Sequence, residues 1–183
     1  MDVFNKYYNG NISMNKDLIK NILTNLNNNT KLLVFGLGYD SNLWYFGNNK
    51  NTYFIEHNQE YIDLNKDIPK ENIIKYNYDG ITVKKSFMLT IEDIDKYIIP
   101  DRLLNLAPFD IIIIDGPTGY NNNMPGRLLP IYWSNKYLSK SDTIIYIDDS
   151  ERELEKYCIK NYCDNKNIEY IKCGHKEAVK IVL

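Results

Sequence analysis

The sequence predicts an α/β protein built on one doubly wound, mostly parallel sheet of seven strands, with helices on both faces and the last strand antiparallel. Three observations predict it. Short apolar runs rich in Ile, Val, Leu and Phe recur along the chain, Ile111 to Ile114 being the clearest, and such runs mark strands covered on both faces. Segments of helical period alternate with them, the βαβ pattern of a parallel sheet. Glycines and acids gather directly after the strands, where open α/β sheets bind ligands.

Met14 to Leu26 sets Leu18, Ile19, Ile22, Leu23 and Leu26 at amphipathic-helix spacing, with Asn15 as cap and Asn27 to Thr30 as its end. Lys31 to Phe35 is a buried strand ending at Gly36. Ser41 to Phe46 reads as a helix with Ser41 as N-cap. Thr52 to Ile55 is a second strand ending at Glu56, and Ile73 to Tyr76 a weaker third. Ile91 to Leu106 is helical in pattern and broken by Pro100. Asp110 to Ile114 and Thr143 to Ile147 are central strands, with a helix over Pro130 to Leu138 between them. Ser150 to Tyr162 reads as a helix, Ser150 and Glu153 forming a capping box. Ile168 to Lys172 and Ala178 to Leu183 close the chain as two strands. The short loop between them leaves no room for a crossover helix, so they pair antiparallel. The expected organisation is an N-terminal helical or lid segment, residues 1–30, on one cofactor-binding domain, residues 31–183. Tyr7 and Tyr8 are candidates for the lid.

At 183 residues, 44% hydrophobic and 25% charged, the chain can bury a core without disulfides or a structural metal. A formal net charge of −2 gives no basic excess, so nucleic acid is not an expected partner. The three cysteines include no CxxC pair and read as reduced thiols. Met1 to Asn11 has no apolar signal region, and the longest apolar run is far too short for a bilayer. A soluble, cytoplasmic chain without membrane partners is the expectation; its oligomeric state is left open.

Four clusters stand at the strand ends: Gly36-Leu37-Gly38-Tyr39-Asp40-Ser41, Glu56-His57, Asp115-Gly116-Pro117 and Asp148-Asp149. Gly36 and Gly38 allow a tight turn and close approach to a ligand. Glu56 follows Gly36 by 20 residues, the spacing of an acid that accepts from ribose hydroxyls. A dinucleotide site usually adds a third glycine beside the pyrophosphate. Here that position is Ser41, and Asp40 would set negative charge against the phosphates. A positively charged sulfonium tolerates Asp40, so the loop favours S-adenosylmethionine over NAD. An NAD-dependent oxidoreductase and a non-catalytic cofactor-binding scaffold are the competing classes. The candidate cofactor residues are Gly36, Gly38, Asp40, Ser41, Glu56, His57, Asp79 and Asp115. Asp79 is a candidate for the adenine amino group, or simply one half of a turn with Gly80. His57 faces adenine or a substrate hydroxyl, or is structural. Trp44 and Trp133 read as core.

Leu33 to Ser41, Phe54-Ile55-Glu56, Ile114 to Tyr120, Pro125-Gly126-Arg127, and Asp149 with Arg152 together resemble the glucuronoxylan 4-O-methyltransferase and irregular-xylem family of polysaccharide-modifying proteins. The matching blocks run from about Leu32 to Glu155 in the family's order. Tyr39 departs from the family pattern, where His is expected. The resemblance implies an S-adenosylmethionine-dependent O-methyltransferase acting on a hydroxyl of a sugar, uronic acid or polyol, as a small molecule or in a glycan. Plant members carry a Golgi anchor. None is read here, so a soluble sugar, a nucleotide sugar, a polyol or a cytoplasmic glycan is expected rather than xylan.

Transfer to an alcohol needs the hydroxyl deprotonated or acidified, by a base or a metal. Asp115, Asp149 and Arg127 are the candidate catalytic residues. Asp115, Asp148 and Asp149 converge on one sheet edge, and such acids repel unless a cation or proton compensates. The catechol-type cation-dependent methyltransferases look similar, so these three are candidate ligands for Mg²⁺ or Mn²⁺. In the metal-free alternative Asp115 is the base, Asp149 pairs with Arg152 and Asp148 starts a helix. Arg127 is a candidate fork onto a substrate carboxylate or phosphate. Tyr120, with the Asn121 to Asn123 loop, is a candidate lining of the sugar site.

Overall fold

The computed structural model describes residues 3–164 and 166–183. In chain order the elements are α1 (Val3–Tyr7), α2 (Lys16–Asn25), β1 (Leu32–Phe35), α3 (Ser41–Gly47), β2 (Thr52–Glu56), α4 (Gln59–Leu64), β3 (Ile73–Lys75), α5 (Val83–Ser86), α6 (Ile91–Ile94), α7 (Asp101–Leu106), β4 (Ile111–Ile114), α8 (Leu128–Trp133), β5 (Ile144–Ile147), α9 (Glu153–Tyr162), β6 (Asn167–Cys173) and β7 (Lys176–Val182). A 3₁₀ turn, Lys70–Asn72, precedes β3, and a π-helical turn, Ser134–Leu138, continues α8.

One seven-stranded sheet runs in the order β3-β2-β1-β4-β5-β7-β6. The first five strands are parallel, and β7 is antiparallel to both β5 and β6. This is the expected sheet, and alternation explains it. Leu32, Val34, Ile111 and Ile113 enter the core on one face with residues of α1, α2 and α3, including Phe4, Ile19, Leu43 and Trp44. Leu33, Phe35, Ile112 and Ile114 enter the core on the other face with α7, α8 and α9, including Leu103, Leu129, Trp133 and Ile159. A strand buried on both faces has no polar side to show, which is why these runs are uniformly apolar. Trp44 and Trp133 are core residues, as expected.

Several local expectations are corrected. Ser41 is not an N-cap: Asp40 holds that position of α3 without a capping bond, and the Ser41 hydroxyl accepts from Gly38 N at 2.8 Å. The Ser150 to Glu153 capping box does not form, because the returning β7 captures Ser150, whose N–H donates to Glu177 O at 2.8 Å. Helix α9 begins only at Glu153. The helices α1, α4 and α5 escaped the periodicity reading; at four to six residues they are too short to show a period. Tyr7 stacks on Phe46 and Tyr8 on Phe4, and both pack against the core of one face. Neither is among the residues lining the cavity beyond the strand ends. No helix among the described residues is long and apolar enough to cross a membrane.

The order of the strands fixes where a ligand can sit. Strand β1 pairs with β2 on one side and β4 on the other, so connections leave its neighbourhood in opposite directions, and a crevice opens beyond the carboxyl ends of β1 and β4. The loops that follow them touch back to back: a Cβ on Gly36 would lie 3.2 Å from Gly116 N, and one on Gly116 would lie 3.0 Å from Gly36 Cα. Gly36 also has φ of +114°, outside the range of ordinary L side chains. Two bare backbones therefore form the floor of the crevice.

Candidate active site

The crevice is a cavity of about 390 Å³. Its walls include Gly36, Gly38 and Asp40 after β1, Glu56, His57 and Tyr61 after β2, Asp115 and Tyr120 after β4, and Asp149, Arg152 and Lys176 near β5 and β7. Asn11 to Ser13 close one side. Of the expected cofactor residues, the structure gathers Gly36, Gly38, Asp40, Glu56, His57 and Asp115 around this space. Ser41 does not line it. It is buried beneath the loop, and its hydroxyl braces Gly38. Asp79 is a correction: it is exposed, forms a turn with Gly80 at φ +77° and is absent from the cavity wall.

Glu56 is the anchor of the cofactor side. It is buried, and its Oε2 accepts from Leu37 N at 2.7 Å. Its Oε1 accepts from His57 N at 2.7 Å and Asn58 N at 2.6 Å, with His57 Nδ1 at 2.9 Å. Burial alone would raise its carboxyl, but the bonds from His57, Asn58 and Leu37 outweigh burial and hold it below the usual carboxylate range. One side chain thus joins the end of β2 to the loop after β1, and Oε2 keeps acceptor capacity for a hydroxyl. Asp40 is buried and accepts from Trp44 Nε1 at 2.7 Å. Burial, offset in part by that bond, raises its carboxyl. A buried acid in the cavity wall disfavours a pyrophosphate, in keeping with the sequence argument against a dinucleotide.

Ligand oxygens of Asp115, Asp148 and Asp149 lie within 4.8 Å of one another. Arg127 lies among them. Its guanidinium donates to the backbone carbonyls of Asp148 and Asp115, to Asp115 Oδ1 at 3.2 Å and to Asp149 Oδ2 at 3.1 Å. Arg127 lines the cavity, as expected of a site residue. Its side chain is buried, however, and its outer nitrogens bind protein oxygens that tie the end of β4 to the end of β5, not a free face for a substrate fork. Gly126 explains the inward turn. At φ +70°, a Cβ there would lie 2.5 Å from Leu154 Cδ2 and 2.8 Å from Val83 Cγ2. Only glycine passes so close to α9 and α5, and that approach delivers the next residue to the interior.

The three acids are not equivalent. Asp149 sits at φ +51° and is paired with Arg127, with Arg152 at 2.6 Å and with Lys176 at 2.9 Å. Burial would raise its carboxyl, but Arg127, Lys176 and Arg152 hold it below the usual range. Asp115 lines the cavity with a quarter of its side chain exposed. Desolvation, then the Asp148 carboxylate, pushes it well above the usual range, against the pull of Arg127. Asp148 is raised by burial and by Asp149, and its Oδ1 is buried without a hydrogen-bond partner.

Lys176 was not found by sequence reasoning, and Asn11 to Ser13 fall within the expected lid segment, residues 1–30, without having been singled out. Lys176 comes to the site because β7 returns beside β5 with Val179 opposite Ile147, setting the start of β7 against Asp148 to Ser150. Tyr120 is 71% exposed at the cavity mouth, and Asn121 to Asn123 are exposed and do not line it.

This sheet order, with its antiparallel β7, is the Rossmann-like fold of S-adenosylmethionine-dependent methyltransferases. The crystal structure of the O-methyltransferase TomG from Streptomyces achromogenes, in complex with S-adenosylmethionine, superposes with a TM-score of 0.56 at 10% identity, covering 98% of this chain and 86% of that one. No protein-family model matches the chain. Among curated proteins it is similar to glucuronoxylan 4-O-methyltransferase 1 of Arabidopsis thaliana, 28% identical across 67% of this chain and 51% of the relative. It is also similar to Protein IRX15-LIKE of the same plant, 24% identical across 82% and 55%. The resemblance read from the motifs is borne out, and the chain spans about half the length of the curated relatives it matches.

Proposed function

We propose that this chain is an S-adenosylmethionine-dependent O-methyltransferase acting on a hydroxyl of a sugar, uronic acid or polyol, free or within a glycan. One observation carries this: the braced Glu56 and the bare Gly36 backbone share a single cavity with a raised, partly exposed carboxyl, Asp115. The residues fit the cofactor. Glu56 would hold the ribose, His57 and Tyr61 would flank the adenine, and the carboxylates of Asp40 and Asp115 would offset the sulfonium. When bound, the cofactor supplies an electrophilic methyl group on that sulfonium.

Asp115 is the base. A carboxylate whose proton affinity is raised by burial and by a neighbouring acid accepts a hydroxyl proton more readily than one whose proton affinity is lowered by three cations, as that of Asp149 is. Asp149 instead holds Arg127, Arg152 and Lys176 in place. A divalent cation, Mg²⁺ or Mn²⁺, would take Asp115 and Asp148 rather than all three acids, since Asp149 is already ion-paired to Arg127, Arg152 and Lys176, whereas Asp148 Oδ1 is buried without a hydrogen-bond partner. Two carboxylates plus substrate oxygens are an ordinary Mg²⁺ environment, and such an ion would acidify a bound hydroxyl. An acidic acceptor would meet Arg152 and Lys176, which line the cavity with 27% and 33% of their side chains exposed.

The test is methyl transfer from labelled S-adenosylmethionine to a panel of glucuronic acid, its oligosaccharides, neutral hexoses and inositol. The expected outcome is a methyl ether on one of these acceptors with release of S-adenosylhomocysteine. Binding of S-adenosylhomocysteine with no transfer to any acceptor would favour a non-catalytic scaffold, and no binding would remove the cofactor itself.

A further inference from the structure

Glu155 is a buried acid that the proposed chemistry leaves idle. It lies in α9 with no solvent exposure, and neither carboxylate oxygen has a hydrogen-bond partner. Burial raises its carboxyl, opposed chiefly by Arg127. An acid stranded in this way is normally replaced by an apolar residue unless its charge does something. Its near neighbour is informative. Arg127 Nε lies 4.0 Å from Glu155 Oε1 and is likewise buried without a partner. The outer nitrogens of the same guanidinium all point the other way, to Asp115, Asp148 and Asp149. Glu155 also underlies the acceptor-side loop: a Cβ on Gly119 would lie 3.7 Å from Glu155 Oε1 and 3.0 Å from Gly126 Cα.

We propose that Glu155 is a positioning residue, a carboxylate behind Arg127 that holds the guanidinium aimed at the ends of β4 and β5 and so fixes Asp115 toward the acceptor. What is positioned rests on the methyltransferase reading; the hold of Glu155 on Arg127 does not. The charge acts at short range in a water-poor interior, where a carboxylate orients a guanidinium strongly. Without it, Arg127 has acids on one side only and is free to rotate toward them, carrying the Asp115 loop with it.

The experiment uses the full chain with ¹⁵N-labelled arginine, its Arg127 Nε–H resonance assigned by disappearance in Arg127→Lys. In Glu155→Gln, which keeps size and shape, that resonance is expected to move and its solvent exchange to quicken by about tenfold or more. S-adenosylhomocysteine affinity is expected to stay within about twofold while kcat falls at least about tenfold with KM for the cofactor unchanged. Should Glu155→Gln not fold, Glu155→Asp keeps the charge one methylene further back and is expected to show the same changes in smaller measure. A lowered Tm with the Arg127 resonance and kcat unmoved would overturn the proposal. A shifted resonance in a protein that transfers no methyl group would uphold the Glu155 to Arg127 contact and count against the methyltransferase reading alone.

Discussion

Replacing Glu56 with Gln separates the scaffold role of this side chain from any role toward ligand. The carboxylate accepts on two sides: from Leu37 N through Oε2, and from His57 N and Asn58 N through Oε1. An amide has one acceptor oxygen. Turned toward His57 and Asn58, it sets its NH₂ against the Leu37 N–H, losing one charge-assisted bond and stranding a buried donor. A hydrogen bond to a charged group contributes about 1.5–3 kcal/mol and a stranded buried donor costs about 1–3 kcal/mol, so the expected loss is about 2.5–6 kcal/mol. A domain of this size stays folded after such a loss if its stability lies in the upper part of the usual range of about 5–15 kcal/mol. The sign with pH follows from the depressed carboxyl. Glu56 contributes fully above its unfolded pKa of about 4.3, and the contribution is lost as pH falls through its lower folded value. Urea unfolding of both proteins, followed by the fluorescence of buried Trp44 and Trp133, gives the difference at pH 7 and at successively lower pH. A difference below about 1 kcal/mol at pH 7, or one that fails to narrow in acid, would refute the bracing role.

Other substitutions probe separate parts of the site. Asp115→Asn is expected to keep S-adenosylhomocysteine binding while lowering kcat by about 10²-fold or more, read by single-turnover transfer. Gly126→Ala is expected to destabilise by about 2–5 kcal/mol in urea unfolding, from the left-handed backbone and the overlap with Leu154 and Val83. If a divalent ion sits on Asp115 and Asp148, chelation abolishes transfer and added Mg²⁺ or Mn²⁺ restores it; chelator-insensitive turnover would leave Asp115 acting alone. Lys176→Gln is expected to raise KM for a uronate about tenfold and leave that for a neutral sugar unchanged, a ratio measured by competition.

Much of this architecture was legible because burial on both faces imprints itself on the chain. Four consecutive isoleucines at 111–114 admit few other environments, and the short loop at Gly174 forces an antiparallel return. The acids of the site were legible for a related reason: Glu56, Asp115, Asp148 and Asp149 stand at the ends of apolar strands, and all but the buried Asp148 line the crevice. Side-chain direction was not. Arg127 in a glycine-flanked loop suggests a substrate contact, yet the close passage of Gly126 past Leu154 and Val83 turns it inward. Lys176 was invisible because its approach depends on the β5 and β7 register, a pairing between residues far apart in sequence. Asp79 failed because an Asp-Gly turn carries its own local reason to exist. Helix starts shifted where tertiary bonds outbid local caps, as Glu177 does for Ser150.

The most direct test of the central claim is thermal or urea unfolding of the whole chain with S-adenosylhomocysteine and, separately, with NADH. Near 100 times the dissociation constant, S-adenosylhomocysteine is expected to stabilise by about 2.7 kcal/mol, and NADH to have no effect. Stabilisation by NADH, or none by S-adenosylhomocysteine at millimolar concentration, would contradict the assignment of this cavity to a methyl donor.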